Sequence, residues 1–293
     1  MSGVKFYLAQ DTSHLKPAMP ELPEVETIAR SLRPDLLGAE VLDSDVRWAR
    51  TLETPSAKQF KERIRGQKFI EVGRRAKYLH FRLSRDSLFV HLRMSGDLFI
   101  KGAGYDPEKH DRLILALTPG PSPAIGRERF LVFNDTRKFG RVWLTDDPDS
   151  VIGNLGPEPF SDEFTPQWLY ENLRARNRQL KPLLLDQTFL AGLGNIYTDE
   201  CLHIAKLHPL SASVSVSREQ AARLHEAIRA VLAEGIRRNG ASIDWVYRGG
   251  EFQNYFRVYD RTAQPCPVCG TKIVKLVVGQ RGTHICPKCQ KKR

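Results

Sequence analysis

Long apolar runs are missing from this chain of 293 residues, and no stretch could cross a bilayer as a helix. A secretory signal is missing too: the first residues offer only the short apolar run Phe6-Tyr7-Leu8-Ala9 before the chain turns polar. Internal repeats and low-complexity tracts are absent. Cysteine is scarce at 5; two C-x-x-C pairs near the C-terminus use four, and Cys201 stands alone in a helical pattern as a small packed hydrophobe. Together these absences argue against a membrane-spanning or secreted protein and fit a reducing, cytoplasmic compartment, where paired cysteines read as metal ligands before disulfides. Acidic residues are in the minority, 34 against 45 Lys plus Arg, for a formal charge of +11. A surplus of this size favours an anionic partner, nucleic acid or an acidic membrane surface.

What is present suffices for a sizeable core: 41% of residues are hydrophobic, and the length suggests two domains with a small appendage. Residues 1–18 read as a polar extension. A helical segment follows through Glu24, Val25 and Glu26 to Leu32 and is expected to stop near Pro34 and Gly38. From Val41 to Leu144 short alternating strands recur, as at 68–72, 78–83, 87–92 and 112–117, which suggests a β-sandwich or barrel. After about Asp149 helices take over. One opens with Thr165 as N-cap and Pro166 in the first turn, and others are expected at about 182–190, 194–206 and 218–238. In the last, Leu224, Ile228, Val231 and Leu232 recur at helical spacing as a packing stripe. The expected fold is a multidomain α+β chain: a β-sandwich with flanking helices over 19–150, a helical domain over 151–261 and a zinc ribbon over 262–293.

Cys266-x2-Cys269 and Cys286-x2-Cys289 are separated by sixteen residues, a length that suits a hairpin returning the second pair to the first. Four thiolates close a tetrahedral shell, so one structural Zn²⁺ is expected, with no open position for catalysis. The ion with four thiolates carries a local charge of −2 that Lys272, Lys275, Lys288, Lys291, Lys292 and Arg293 would offset, and these side chains could also contact phosphates. Ribbons of this kind serve many proteins, so the reaction has to be read from other motifs.

From Met19 the chain reads Met-Pro-Glu-Leu-Pro-Glu-Val-Glu-Thr. Then come Arg75-Ala76-Lys77-Tyr78-Leu79, His91-Leu92-Arg93-Met94-Ser95-Gly96 and Asn134-Asp135-Thr136-Arg137-Lys138-Phe139-Gly140. Next are Leu155-Gly156-Pro157-Glu158-Pro159, Lys181-Pro182-Leu183-Leu184-Leu185-Asp186-Gln187, Leu193-Gly194-Asn195-Ile196-Tyr197 and Gly279-Gln280-Arg281-Gly282-Thr283. In this order the motifs resemble the formamidopyrimidine-DNA glycosylases, bacterial base-excision repair enzymes that remove oxidised purines, from Met19 to the end of the chain.

The resemblance implies a bifunctional glycosylase and abasic-site lyase acting on 8-oxoguanine and formamidopyrimidines in duplex DNA. With the initiator Met19 removed, Pro20 would be a free secondary amine, unprotonated in good part at neutral pH and able to attack C1′ and leave an iminium. Glu21 is similar to the family's proton-transfer carboxylate, and Glu24 would be a second carboxylate near the sugar. Lys77 matches the lysine assigned as proton donor in β-elimination, and Arg281 the arginine assigned to δ-elimination. Met94, Arg137 and Phe139 match the residues that fill the gap left by the flipped nucleotide. His110, Arg137, Arg176, Lys181 and Asn195 resemble phosphate-contacting positions, with Asn195 in a helix–two-turn–helix element. Alternative readings are an endonuclease VIII-type glycosylase for oxidised pyrimidines and a non-catalytic damage-binding protein. No membrane partner is implied, action as a monomer is expected, and the protein would sit at the nucleoid when bound to DNA.

Two features depart from the family pattern. An internal proline nitrogen is an amide that cannot form an iminium, so translation is expected to begin at Met19 or the extension to be removed. The segment Tyr247-Arg248-Gly249-Gly250-Glu251-Phe252-Gln253 falls where the family's base-recognition loop lies and is shorter.

Overall fold

The computed structural model describes residues 19–119, 128–242 and 249–292. The extension over 1–18, Tyr247 and Arg248 of the expected recognition loop, and Arg293 lie outside these residues. Helix α1 (Leu22–Leu36) leads into β1 (Val41–Val46), β2 (Leu52–Thr54), α2 (Ala57–Ile64), β3 (Phe69–Arg75), β4 (Tyr78–Leu83), β5 (Ser87–His91), β6 (Gly96–Lys101), β7 (Asp111–Leu117), β8 (Arg129–Asp135) and β9 (Arg141–Thr145). The strands form two sheets, in the order β1-β7-β8-β6 and β2-β9-β5-β4-β3, antiparallel except for the β2–β9 pair. Alternation along β4 and β9 turns one face inward, where Leu79, Phe81, Val142 and Leu144 meet Leu113, Leu115, Leu131 and Phe133 of the other sheet.

After the short helix α3 (Asp149–Ile152), which buries no residue, helices α4 (Pro166–Arg174), α5 (Leu180–Leu184), α6 (Asn195–Ile204) and α7 (Arg218–Arg237) build a second core around Leu169, Leu183, Tyr197, Leu224 and Ile228. The caps are those the side chains dictate: Thr165 Oγ1 accepts the Trp168 N–H at 3.0 Å, and Ser217 shares a capping box with Gln220. A hairpin of β10 (Val274–Val278) and β11 (Arg281–Ile285) carries the cysteine pairs at its ends. None of the described helices is long and apolar enough to cross a membrane.

Helix α1 ends at Leu36, between Pro34 and Gly38 as expected, with Pro34 in its last turn and the Leu37 N–H reaching the Arg33 carbonyl at 3.1 Å. One helix boundary differs from the sequence expectation. The segment expected as a helix over 182–190 is helical only to Leu184. There Asp186 bonds to the Thr188 N–H and hydroxyl at 3.1 and 2.7 Å, an alternative to the helical ladder.

One element joins the two cores. Leu22 of α1 is buried among the helices, whereas Val25, Ile28, Leu32 and Leu36 are buried in the sandwich. The N-terminal end of α1 therefore lies at the seam between the layers.

Candidate active site

Pro20 is buried directly before α1. The next side chain, Glu21, is 2% exposed and reaches α6: its Oε1 accepts the Ile196 N–H at 2.9 Å and its Oε2 the Tyr197 N–H at 3.4 Å. These are orphan donors of a helix start, and the N-cap residue Gly194 has no side chain with which to meet them. Glu21 thus caps α6 from the far end of the sequence. A β-carbon at Gly194 would overlap the Glu21 carboxyl group. Gly194→Ala should therefore evict Glu21, lower thermal stability by roughly 1–3 kcal/mol as a buried acceptor set is broken, and cost activity. Unchanged unfolding and full activity would contradict this packing.

Burial pushes the Glu21 carboxyl up to about 7, against the pull of the Lys77 ammonium and the two backbone donors and with the help of nearby Glu24. Lys77 is 5% exposed and donates to the Leu193 carbonyl at 2.6 Å. Burial brings its ammonium down to about 8, Glu21 opposing and Arg281 adding to the shift. Both groups can exchange protons near neutrality, as acid–base chemistry requires. The tight turn between β3 and β4 aims Lys77, with Ala76 at φ 54°. Glu158 braces that turn, accepting the Ala76 N–H at 2.5 Å and Arg74 Nη1 at 2.7 Å.

Glu24 is 3% exposed and accepts from the Tyr197 hydroxyl at 2.6 Å, the Ala241 N–H at 2.7 Å and the Glu21 N–H at 2.8 Å. It joins α1, α6 and the end of α7, and Gly240, at φ 76°, leaves room for its carboxylate. Arg281 opens β11 after the turn residues Gly279 and Gln280, at φ 54° and 61°. Its side chain is exposed, and its charge is felt at both Lys77 and Lys181.

Met94 and the pair Arg137–Phe139 sit on two neighbouring turns. Phe139 is 45% exposed, with the Arg137 guanidinium 4.8 Å from its ring centre, and Met94 is half-buried. One buried carboxylate organises both turns: Asp135 accepts from the Ser95 hydroxyl at 2.5 Å, the Arg137 N–H at 3.1 Å and the Gly140 N–H at 2.7 Å. His110 joins the same assembly through Arg112, whose Nη2 lies 3.2 Å from His110 Nδ1 and whose Nε donates to the Asp135 carbonyl at 2.7 Å.

The remaining residues expected at phosphates each have a partner within the protein. Lys181, expected at a phosphate, is fully enclosed and 2.6 Å from Asp199, so its ammonium is spent inside the fold. Arg176 is half-buried, bonded to the Asn172 side-chain oxygen at 2.8 Å and lying over Phe189. Asn195, first residue of α6, donates to the Gly282 carbonyl at 3.1 Å. Asp135, Glu158 and Gly194 fall inside the family-like motifs, but nothing local marks them, because Ser95, Arg74 and Glu21, which they meet, are distant in the chain.

The four cysteine sulfurs lie within 4.8 Å of one another, with Cys269–Cys286 at 3.4 Å, Cys269–Cys289 at 3.5 Å and Cys266–Cys289 at 4.0 Å. A tetrahedral ion with bonds of about 2.3 Å would set its ligand sulfurs about 3.8 Å apart, so the donor set and spacing suit zinc. The Val268 N–H approaches Cys266 Sγ at 3.5 Å and His203 Nε2 approaches it at 3.4 Å, groups that would disperse thiolate charge.

Comparisons with known proteins agree with this layout. Family models match for the formamidopyrimidine-DNA glycosylase N-terminal domain over 19–142, the formamidopyrimidine-DNA glycosylase H2TH domain over 155–246, and the zinc finger found in FPG and IleRS over 263–292. A formamidopyrimidine-DNA glycosylase from Pelotomaculum thermopropionicum is 44% identical, covering 93% of this chain and 99% of its own. One from Roseiflexus sp. is also 44% identical, covering 93% of this chain and 100% of its own. Among solved structures, the complex between the Lactococcus lactis Fpg and an abasic site containing DNA superposes with a TM-score of 0.85 at 34% identity. The complex between the Lactococcus lactis FPG and a FAPY-dG containing DNA superposes with a TM-score of 0.84 at 35% identity. Each covers 93% of this chain and 100% of its own.

Proposed function

The chain belongs to the formamidopyrimidine-DNA glycosylase family and is a DNA glycosylase of base excision repair; on that premise we propose that it excises oxidised purines through the amine of Pro20 and then cleaves the strand by β- and δ-elimination. The observation that carries this reading is that Glu21, next to Pro20, bonds to Ile196 at the start of α6 while Lys77 bonds to Leu193 just before it, which brings a carboxyl and an ammonium together near Pro20.

The Pro20 lone pair bonds to C1′ of an everted nucleotide while the bond from C1′ to the base breaks. The base leaves with the electron pair and a proton, for which Glu21 is the donor. The attached nitrogen then loses its proton and its lone pair breaks the C1′–O4′ bond, O4′ leaving as a hydroxyl with that proton, which gives an iminium that acidifies the C2′ proton. Its loss expels the 3′ phosphate, with Lys77 beside the reacting sugar. Loss of the C4′ proton then expels the 5′ phosphate, the step given to Arg281. Water releases the sugar remnant and regenerates the amine. Met94, Arg137 and Phe139 fill the vacated stack, on turns braced by Asp135. His110 and the lysines of the ribbon face the backbone phosphates. Glu24 and Lys181 hold the architecture, because their charged atoms are fully engaged inside it. Cys266, Cys269, Cys286 and Cys289 would hold one zinc ion, which fixes the ribbon when bound.

This chemistry requires Pro20 to be the first residue. Protein started at Met19, with that methionine removed, should give a borohydride-trapped adduct on duplexes carrying 8-oxoguanine or an abasic site. An adduct on thymine glycol alone would shift the substrate class to oxidised pyrimidines. Binding without an adduct would refute the amine mechanism.

A further inference from the structure

Among the described residues, Lys181 and Asp199 form the one ion pair whose side chains are both fully enclosed, at 2.6 Å. Its second contacts all run to β11. The Lys181 ammonium donates to the Gly282 carbonyl at 3.1 Å, an oxygen that also accepts Asn195 Nδ2 at 3.1 Å. The other carboxylate oxygen of Asp199 accepts the His284 backbone N–H at 2.8 Å. Gly282 follows Arg281 directly, so two points of the strand beside that arginine are tied to α5 and α6. The preceding turn rests on α5 as well, since a β-carbon at Gly279 would lie 3.2 Å from Pro182 Cγ. Enclosing two charges adds little net stability over apolar packing. What this pair supplies is direction, because its bonds have fixed geometry and end on one backbone segment.

We propose that Asp199 is a positioning residue for Arg281. Through the Lys181 ammonium and the His284 N–H it sets the place of β11 against α6, and so the reach of the guanidinium toward the 5′ phosphate expelled in the second elimination. It also neutralises Lys181, whose charge would otherwise repel Arg281. This inference rests on the proposed role of Arg281. The Pro20 amine and Glu21 lie outside the tie.

The experiment compares the protein beginning at Pro20 with its Asp199→Asn variant on a duplex with one abasic site. Zinc content, borohydride trapping, and the β- and δ-elimination products are each quantified. The expected result is one zinc per chain, trapping within about twofold of the parent, and a ratio of δ to β product lowered roughly tenfold to a hundredfold, as for a group misplaced by about 1 Å. Should the single variant not fold because Lys181 is left unpaired, Asp199→Asn with Lys181→Met removes both charges and should show the same lowered ratio. An unchanged ratio overturns the proposal, as does a parallel fall in trapping and both products, which would make the pair merely structural. If the parent protein itself traps nothing, the amine mechanism fails and this inference fails with it.

Discussion

Glu21→Gln should slow base excision by roughly 10²–10⁴-fold, the range that a positioned general acid supplies. Glutamine has nearly the shape of glutamate but no acidic proton to give the departing base. Cleavage at a preformed abasic site should fall far less, because no base has to leave. The pH profile sharpens the test. A carboxyl raised to about 7 is substantially protonated at neutrality and loses its proton as pH rises. The Pro20 amine, with a reference value of about 8, gains nucleophilicity over the same rise. Excision by the parent protein should therefore be bell-shaped with a maximum between about 7 and 8, and the variant's residual excision should lack the alkaline fall. Equal losses on damaged and abasic duplexes would show that Glu21 is needed only as the cap of α6, through its bonds to Ile196 and Tyr197.

Removal of the metal should have an effect of similar size by a different route. The ribbon's own buried cluster is Val258, Cys266, Ile273 and Cys286, and Val278 and Ile285 of its strands are buried as well. So small an apolar core, even with β11 tied to Lys181 and Asp199, leaves much of the folding energy of β10 and β11 to the binding of the ion. Treatment with a strong chelator should erase amide protection in β10–β11 while protection in α1 and α7 persists. With Arg281 released, 5′-side scission should drop by about a hundredfold, the scale of one lost positioned group. DNA affinity should fall with it, and its dependence on salt should flatten as phosphate contacts are lost. The Pro20 amine should still trap an abasic site presented at high concentration, since neither Glu21 nor Lys77 is held by the ribbon's own residues. Full δ-elimination by the metal-free protein would contradict this division of labour.

Local features were legible in the sequence, and distant pairings were not. Strands such as 78–83, the cap at Thr165 and the stripe of α7 follow from alternation, capping chemistry and helical spacing, all set within a few residues. The cysteine pairs are equally local, and their sulfurs converge. The family order of motifs then pointed to Glu21, Lys77 and Arg281 as one group. Periodicity could not reveal that Glu21 caps a helix starting at Asn195, or that Gly194 must lack a side chain for that reason. The resemblance put Lys181 among phosphate-contacting positions, and that its ammonium is paired inside the fold could not be read locally, because its partner Asp199 lies a helix away. Asp135 sits in the same motif as Arg137 and Phe139, yet its work is to receive Ser95 from another strand's turn. A helix over 182–190 failed because Asp186 offered the backbone a competing partner.

The most direct test of the account is to locate the covalent bond. Protein beginning at Pro20 is reacted with an 8-oxoguanine duplex under borohydride, digested, and the modified peptide sequenced by mass spectrometry. The sugar remnant should be on the nitrogen of Pro20, and protein that retains residues 1–19 should carry none. A remnant on Lys77, or an adduct formed with the extension still attached, would contradict the mechanism.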